Sequence, residues 1–257
     1  MDKIHKLSGK QIGFALHGYT NDIQSWLNTI INIYNSNGFY FKSVSFDIDY
    51  QKIKRMSIKS FNRDFQNKYL PIINKLYSFN IYYGDNQNLP ETWHYRATFD
   101  IPSRYIILCF DECYSEQVVL PFYHKVIKSL LENNIVQTGY LFYGKPDYPM
   151  GGCGPNYSLN YYKENGHQWW LMMNPRNIHT LFDLNNKYRH IYLENILNEK
   201  HIKTKINDMP LKEWITINNY GTIKKIGIKN WLWIIPKDKL KEIQIVFYQN
   251  KKLLGCE

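Results

Sequence analysis

The residues of this chain best suited to nucleophilic chemistry are a thiol between glycines and a histidine fourteen residues later. Cys153 lies in the segment GGCGP (151–155), and His167 follows it. A nucleophilic cysteine needs a nearby base, and glycine neighbours permit the close backbone approach that an oxyanion site requires. Asp147 or Glu164 could orient His167. A small Cys/His-dependent enzyme is therefore one hypothesis, and an ordinary tight turn around Cys153 is the simpler interpretation.

Zinc coordination is the second chemistry that residue spacing can test. Cys109 and Cys113 are four residues apart, and Cys153, His124 and His167 are the further candidate ligands. Structural zinc sites usually combine two closely spaced ligand pairs, whereas here there is one loose pair. Cys109 also lies in an apolar run, so it is most simply a small buried hydrophobic residue. We expect no metal site and no cofactor. The motifs GxxxxGK[ST], GxGxxG and GxSxG are absent from the sequence, which argues against nucleotide-dependent enzymes and common hydrolases.

Large aromatic side chains are concentrated between Tyr140 and Met173, beside the glycine-rich segment. Such side chains offer contact area at a small entropic cost, and with arginine they dominate the energetics of many interfaces. Two adjacent tryptophans on a strand point to opposite faces, so one of them can be exposed. The alternative is that the rings fill a core. We predict a partner-binding set with two assisting lysines: Tyr148, Tyr161, Trp169, Trp170, Arg176, Lys224 and Lys225.

The charge of the chain is strongly positive, at +10, but only six of its 32 basic residues are arginine. Proteins that clamp phosphates or read bases favour arginine, because its planar fork forms bidentate hydrogen bonds. The segment from Lys200 to Glu257 holds twelve lysines and five acidic residues, which gives it +7 of the total. A basic C-terminal face would attract an acidic protein as readily as RNA. A lysine-rich nucleic-acid-binding protein is therefore an alternative, and a protein partner is the preferred hypothesis.

Hydrophobic periodicity predicts strands and helices in the order β-α-β-α-β-β-β-α-β. The stripe Ile23, Trp26, Leu27, Ile30, Ile31 and Tyr34 predicts a helix that ends at Gly38, and alternation predicts strands at 11–17 and around 44–50. Helical spacing from Ile58 to Tyr69 precedes Pro71, which breaks or kinks that helix. This pattern predicts a single α+β domain, residues 1–257, with a mixed or mainly antiparallel sheet and helices packed on one face. A soft internal boundary falls near residue 145.

Targeting signals are not evident in the sequence. No run of residues approaches the roughly 18 apolar positions needed to cross a bilayer. The first residues, MDKIHKLSGKQ, do not contain the apolar core of a signal peptide. Four cysteines are too few for a disulfide scaffold. We therefore expect a cytoplasmic protein with reduced thiols and no membrane partner.

Several segments of the chain resemble immunity proteins of bacterial contact-dependent and type VI toxin systems. These segments are YIILCFDECYSEQVV (105–119), SLLENNIVQTGYLFYG (129–144), YPMGG (148–152), the tryptophan pair at 169–170, HIYLENILNEKHI (190–202) and LKEWI (211–215). The shared pattern is a buried strand, a helix, a strand ending in a Tyr/Gly turn, and a glycine-rich aromatic loop. The resemblance covers about residues 100 to 235 and fixes no individual binding residue.

The resemblance implies a non-enzymatic cytosolic protein that binds a cognate toxin and blocks its active site or substrate entry. Immunity proteins against nucleases are often acidic, whereas this chain is basic. The toxin surface is then expected to be acidic, or the contact to depend mainly on apolar and aromatic side chains. A toxin that acts on proteins, peptidoglycan, nucleotides or NAD fits this charge better than a basic DNase.

Overall fold

The computed structural model of the protein describes residues 11–18, 23–48, 52–84, 93–101, 104–111, 113–133, 136–147, 152–158, 163 and 186–254. The strands are β1 (Gln11–His17), β2 (Ser43–Ile48), β3 (Lys52–Ser57), β4 (Leu76–Gly84), β5 (Trp93–Asp100), β6 (Tyr105–Phe110), β7 (Thr138–Asp147), β8 (Gly152–Ser158), β9 (Glu194–Asn198), β10 (Lys205–Ile206), β11 (Met209–Pro210), β12 (Thr222–Lys225) and β13 (Asn230–Ile234). The α-helices are α1 (Ile23–Ser36), α2 (Ile58–Asp64), α3 (Glu116–Asn133), α4 (Glu199–Lys203), α5 (Leu211–Ile217) and α6 (Leu240–Gln249).

One large sheet organises the described residues. Its strand order is β12-β13-β9-β7-β1-β6-β5-β4-β2-β3, and β8 also pairs with β7. Every ladder between these strands is antiparallel. The first strand of the chain lies between β6 and β7, so the middle of the sheet is closed by contacts between distant parts of the sequence. This α+β architecture with a mainly antiparallel sheet confirms the predicted fold class.

The main core lies between one face of the sheet and helices α1, α2 and α3. Alternate residues of a strand share a face, and Ile12, Phe14 and Leu16 of β1 all enter this core. From α1 the buried residues are Ile23, Trp26, Leu27, Ile30 and Tyr34, which are five of the six in the predicted stripe. The predicted helix from 58 to 69 changes its geometry part-way. It is α-helical to Asp64, π-helical over Phe65–Tyr69 and 3-10 helical over Leu70–Lys75, as expected next to Pro71.

The C-terminal helices add a layer on the other face at one end of the sheet. Ile196 and Leu232 enter the main core, whereas their neighbours Leu197 and Trp233 enter a second core with α4, α5 and α6. Because successive strand residues point to opposite faces, the strands β9 and β13 carry helices on both sides. Helices therefore lie on one face of the central strands, as predicted, and on two faces at this end. No helix within the described ranges is long and apolar enough to cross a membrane.

Candidate partner-binding surface

The two predicted binding lysines that the structure describes lie on β12, which is an edge strand of the large sheet. Lys224 and Lys225 are both exposed, and Thr222 to Lys225 pair with Ile234 to Trp231 of β13. The Lys225 ammonium nitrogen lies 6.0 Å from the centre of the Trp231 ring. This distance is at the limit of a cation–π contact, which is weak at exposed sites. The pairing holds both lysines on a regular hairpin.

A group of lysines from three elements surrounds one carboxylate beside this hairpin. Lys203 of α4 donates a hydrogen bond of 2.9 Å to Glu199. The pKa of the Glu199 carboxyl is lowered, first by this hydrogen bond and then by the positive charges of Lys203, Lys229 and Lys225. We call Lys203, Lys225 and Lys229 the C-terminal lysine cluster. Three ammonium groups share one carboxylate, so the local charge is positive.

Buried amide side chains hold the lysine cluster in place. Asn230 is fully buried, and its Nδ2 donates to the carbonyl oxygens of Val136 at 3.0 Å and Leu197 at 3.3 Å. The Asn198 side chain accepts a hydrogen bond of 2.9 Å from the His201 backbone N–H, which caps α4. Its Nδ2 also donates to the Gln137 carbonyl oxygen at 2.8 Å. These hydrogen bonds tie β13 and α4 to the start of β7.

The turn between β12 and β13 packs closely on the end of α3. The backbone N–H of Ile228 donates to the carbonyl oxygen of Leu131 at 3.3 Å. A Cβ atom at position 227 would clash with the same carbonyl oxygen, so this approach requires Gly227. The lysine cluster is therefore displayed on a hairpin that is braced by both β9 and α3.

The aromatic stretch begins inside the sheet. Tyr140 and Phe142 of β7 are buried on the face opposite the main core. The Tyr140 hydroxyl oxygen accepts a hydrogen bond of 2.8 Å from Arg189 and lies 3.0 Å from His17 Nε2. The pKa of the His17 imidazole is held well below its usual value, mainly by burial and secondly by the charge of Arg189. A neutral His17 can accept the hydrogen of the Tyr140 hydroxyl, so this network is a structural part of the sheet centre.

The rest of the predicted binding set is not tested by the structure. Outside the described residues lie Tyr148, Tyr161, Trp169, Trp170, Arg176, Glu164 and His167. Strands β7 and β8 pair so that Asp147 lies opposite Gly152 and Pro146 lies opposite Cys153. The backbone thus brings Asp147 and Cys153 to neighbouring positions, while their catalytic grouping with His167 stays a prediction.

A contact between a thiol and an imidazole that the sequence pattern did not reveal lies at the start of α3. The Cys113 Sγ lies 3.9 Å from Nδ1 of His94, and the Cys113 backbone N–H donates to Asp111 at 2.7 Å. Cys113 is exposed, whereas Cys109 is buried in β6. The two groups that meet are 19 residues apart in sequence, so no local spacing signals the contact. Within the described ranges, no three His, Cys, Asp or Glu side chains gather where they could hold a metal ion.

Comparison with known proteins places this architecture next to one solved structure. No protein-family model and no curated protein sequence matches the chain. The fold is similar to that of the Pseudomonas aeruginosa T6SS protein PA0821, with a TM-score of 0.53 and 8% sequence identity. The two chains share a fold. The similarity covers 96% of this chain and 74% of that chain, so it includes both cores.

Proposed function

We propose that the protein belongs to a bacterial interbacterial system, where it binds a cognate toxin in the cytoplasm and neutralises it by blocking the toxin's active site. The observation that carries this proposal is the fold similarity to a T6SS protein over 96% of the chain. The resemblance of residues 100 to 235 to immunity proteins supports it independently, because that resemblance was read from sequence segments. The proposed protein is not an enzyme and acts by stoichiometric association.

The exposed lysines support a partner with an acidic surface. Within the described part of the chain, Lys224, Lys225 and Lys229 form no ion pair. Unpaired ammonium groups at the rim of an interface mainly accelerate encounter with a partner of opposite charge. Because β12 and β13 are braced, these charges are presented in a fixed arrangement that needs little ordering on binding.

The first test is co-expression with the toxin domain encoded next to this chain. We expect the protein to restore growth and to form a 1:1 complex with the toxin, measured by light scattering after size-exclusion chromatography. The triple variant Lys224→Glu, Lys225→Glu and Lys229→Glu should lower the association rate at low salt by about tenfold or more. A matched control reverses two lysines on and after α6, Lys241→Glu and Lys251→Glu. Equal losses in both variants would remove the proposed role of the β12 edge.

The enzyme alternative is tested with cysteine variants in the same growth assay. Neutralisation by association needs no thiol, so Cys153→Ser and Cys113→Ser should protect as well as the unaltered protein. Loss of protection in a folded Cys153→Ser variant would favour the Cys/His enzyme instead. Binding to a labelled RNA with an affinity that falls steeply as salt rises, and no binding to the toxin, would favour the nucleic-acid alternative.

A further inference from the structure

The second edge of the large sheet is the strand β3, from Lys52 to Ser57. Within the described residues this strand pairs with β2 alone, from Ser43↔Ser57 to Ile48↔Lys52. In an antiparallel pair, alternate residues direct their backbone N–H and C=O groups away from the partner strand. The outer side of β3 therefore offers a row of hydrogen-bonding groups of the kind that an added strand can use.

The side chains of β3 combine positive charge with an exposed branched residue. Ile53 is 62% exposed, and its neighbours Lys54 and Arg55 are also exposed. The segment 52–57 reads KIKRMS, with three basic residues and no acidic residue. β-Branched residues favour extended chains and stabilise cross-strand pairs. The strand is therefore suited to pairing, and its charge selects what can pair with it.

The two cations flank the strand on opposite faces. The Lys54 ammonium nitrogen lies 6.0 Å from the Phe46 ring and 5.7 Å from the Tyr69 ring, on the face of the main core. Arg55 is on the other face, near Tyr82: burial raises the pKa of the Tyr82 hydroxyl, and the positive charge of Arg55 opposes that rise. An incoming strand would meet a positive charge on both of its faces.

Basic residues on an edge strand also have a protective role, because they prevent association with another sheet edge. Here both ends of the sheet are basic, since Lys224 and Lys225 lie on β12 at the opposite edge. Two copies of this chain would repel each other at either edge. The same charges attract a strand that carries carboxylates, so protection against self-association and selection of an acidic partner follow from one pattern.

We propose that β3 binds an extended acidic segment of a partner protein as an additional antiparallel strand. In antiparallel pairing, consecutive partner residues lie opposite Arg55, Lys54 and Ile53, so the favoured partner sequence contains Glu-Glu-Val. Opposite charges and a branched pair would then stabilise three successive cross-strand positions. The inference rests on the proposed function only in taking the partner to be a protein.

The test uses a fluorescein-labelled eight-residue peptide with a central Glu-Glu-Val flanked by threonines. Fluorescence anisotropy measures its binding to the full chain at low salt. A second peptide keeps Glu-Glu-Val but replaces two flanking threonines by proline, which cannot donate backbone hydrogen bonds. We expect the first peptide to bind and the proline peptide to bind at least about tenfold more weakly, because strand addition needs the backbone. Amide exchange should slow at alternate residues of β3 when the first peptide is bound.

The matched variants reverse two charges at each edge. Lys54→Glu with Arg55→Glu should weaken peptide binding by about tenfold or more, whereas Lys224→Glu with Lys225→Glu should leave it unchanged. Equal binding of both peptides, equal losses in both variants, or no amide protection in β3 would overturn the proposal. Tighter binding of a labelled single-stranded RNA than of the peptide, lost in Lys54→Glu with Arg55→Glu, would also overturn it. Toxin rescue is a separate measurement, so failure of this proposal leaves the proposed function testable by itself.

Discussion

The two edges of the large sheet carry the same sign of charge, but they are held in different ways. At the β12 edge, Asn230 and the turn at Gly227 fix the hairpin to β9, β7 and α3. At the β3 edge, the described ladder partner is β2 alone, and the strand runs directly into α2, where Ser57 accepts a hydrogen bond of 3.1 Å from the Ser60 N–H. One edge is braced by buried polar side chains, whereas the other depends on a single ladder.

This difference separates two uses of positive charge. The C-terminal lysine cluster is a set of ammonium groups on a fixed support, so it acts through the electric field and the rate of encounter. The β3 edge adds an outward-facing backbone and an exposed Ile53, so it can form a strand with defined register. Net charge predicts neither role by itself, because both edges contribute to the same +10.

The largest effect that distinguishes the edges is expected from Asn230→Ala. This change leaves the buried backbone groups of Val136 and Leu197 without their side-chain partner. Unsatisfied buried polar groups should lower the unfolding free energy by about 3 kcal/mol in urea titrations. The matched control is Asn37→Ala, where an exposed amide donates to the Ile33 carbonyl oxygen at 2.8 Å and water can replace it. The control should cost less than about 0.5 kcal/mol, and equal costs would show that the β12 edge is not braced as described.

A second prediction concerns proline at consecutive positions of β3. Backbone N–H groups alternate between facing β2 and facing outward, so Ile53→Pro and Lys54→Pro cannot have the same effect. We expect their unfolding free energies to differ by at least about 2 kcal/mol, because one change removes a ladder hydrogen bond and the other does not. The tolerated variant should lose binding of the Glu-Glu-Val peptide. Similar stability of the two variants would mean that β3 is not an open edge.

Much of the fold could be predicted from periodicity, and the edges could not. Strand β1 was predicted at 11–17 and helix α1 from its apolar stripe, because each buries one continuous face. Strand β3 was not predicted, because an edge strand such as KIKRMS needs few apolar residues. A strand was predicted at His190–Leu193, whereas β9 is Glu194–Asn198, where the buried pattern includes the polar residues Glu194, Asn195 and Asn198.

The candidate surface could be predicted only in part, for a physical reason. Lys224 and Lys225 were identified from local charge density, and both are exposed. The bracing residue Asn230 gave no signal, because its hydrogen-bond partners Val136 and Leu197 come from distant parts of the chain. The contact of Cys113 with His94 was missed for the same reason. Sequence patterns report which faces are buried, but they do not report which distant polar groups meet.

The sheet centre provides a reference that neither edge should affect. Burial and the charge of Arg189 lower the pKa of His17 well below its ordinary value of about 6.5. Below pH 6.5 the unfolded chain takes up a proton that the folded chain resists, so stability falls as the pH decreases through this range. Between pH 6.5 and 5.5 the loss should be about 1 kcal/mol, measured by urea unfolding. A His17→Gln variant should show a flatter pH dependence, whereas Lys54→Ala and Lys229→Ala should follow the unaltered protein.

The smallest expected effect tests the lysine cluster directly through the pKa of Glu199. A lowered carboxyl pKa means that Glu199 favours the folded state above its unfolded pKa, and that this contribution disappears as the pH falls through the folded value. The Lys203 hydrogen bond is the largest cause of the shift, ahead of the charges of Lys229 and Lys225. Lys203→Ala should therefore raise the Glu199 pKa more than Lys229→Ala, measured by carbon NMR of the carboxyl group. Lys54→Ala at the opposite edge should leave that pKa unchanged. If Lys229→Ala had the larger effect, charge density rather than the α4 hydrogen bond would define the cluster, and the contrast between a braced edge and an open one would weaken.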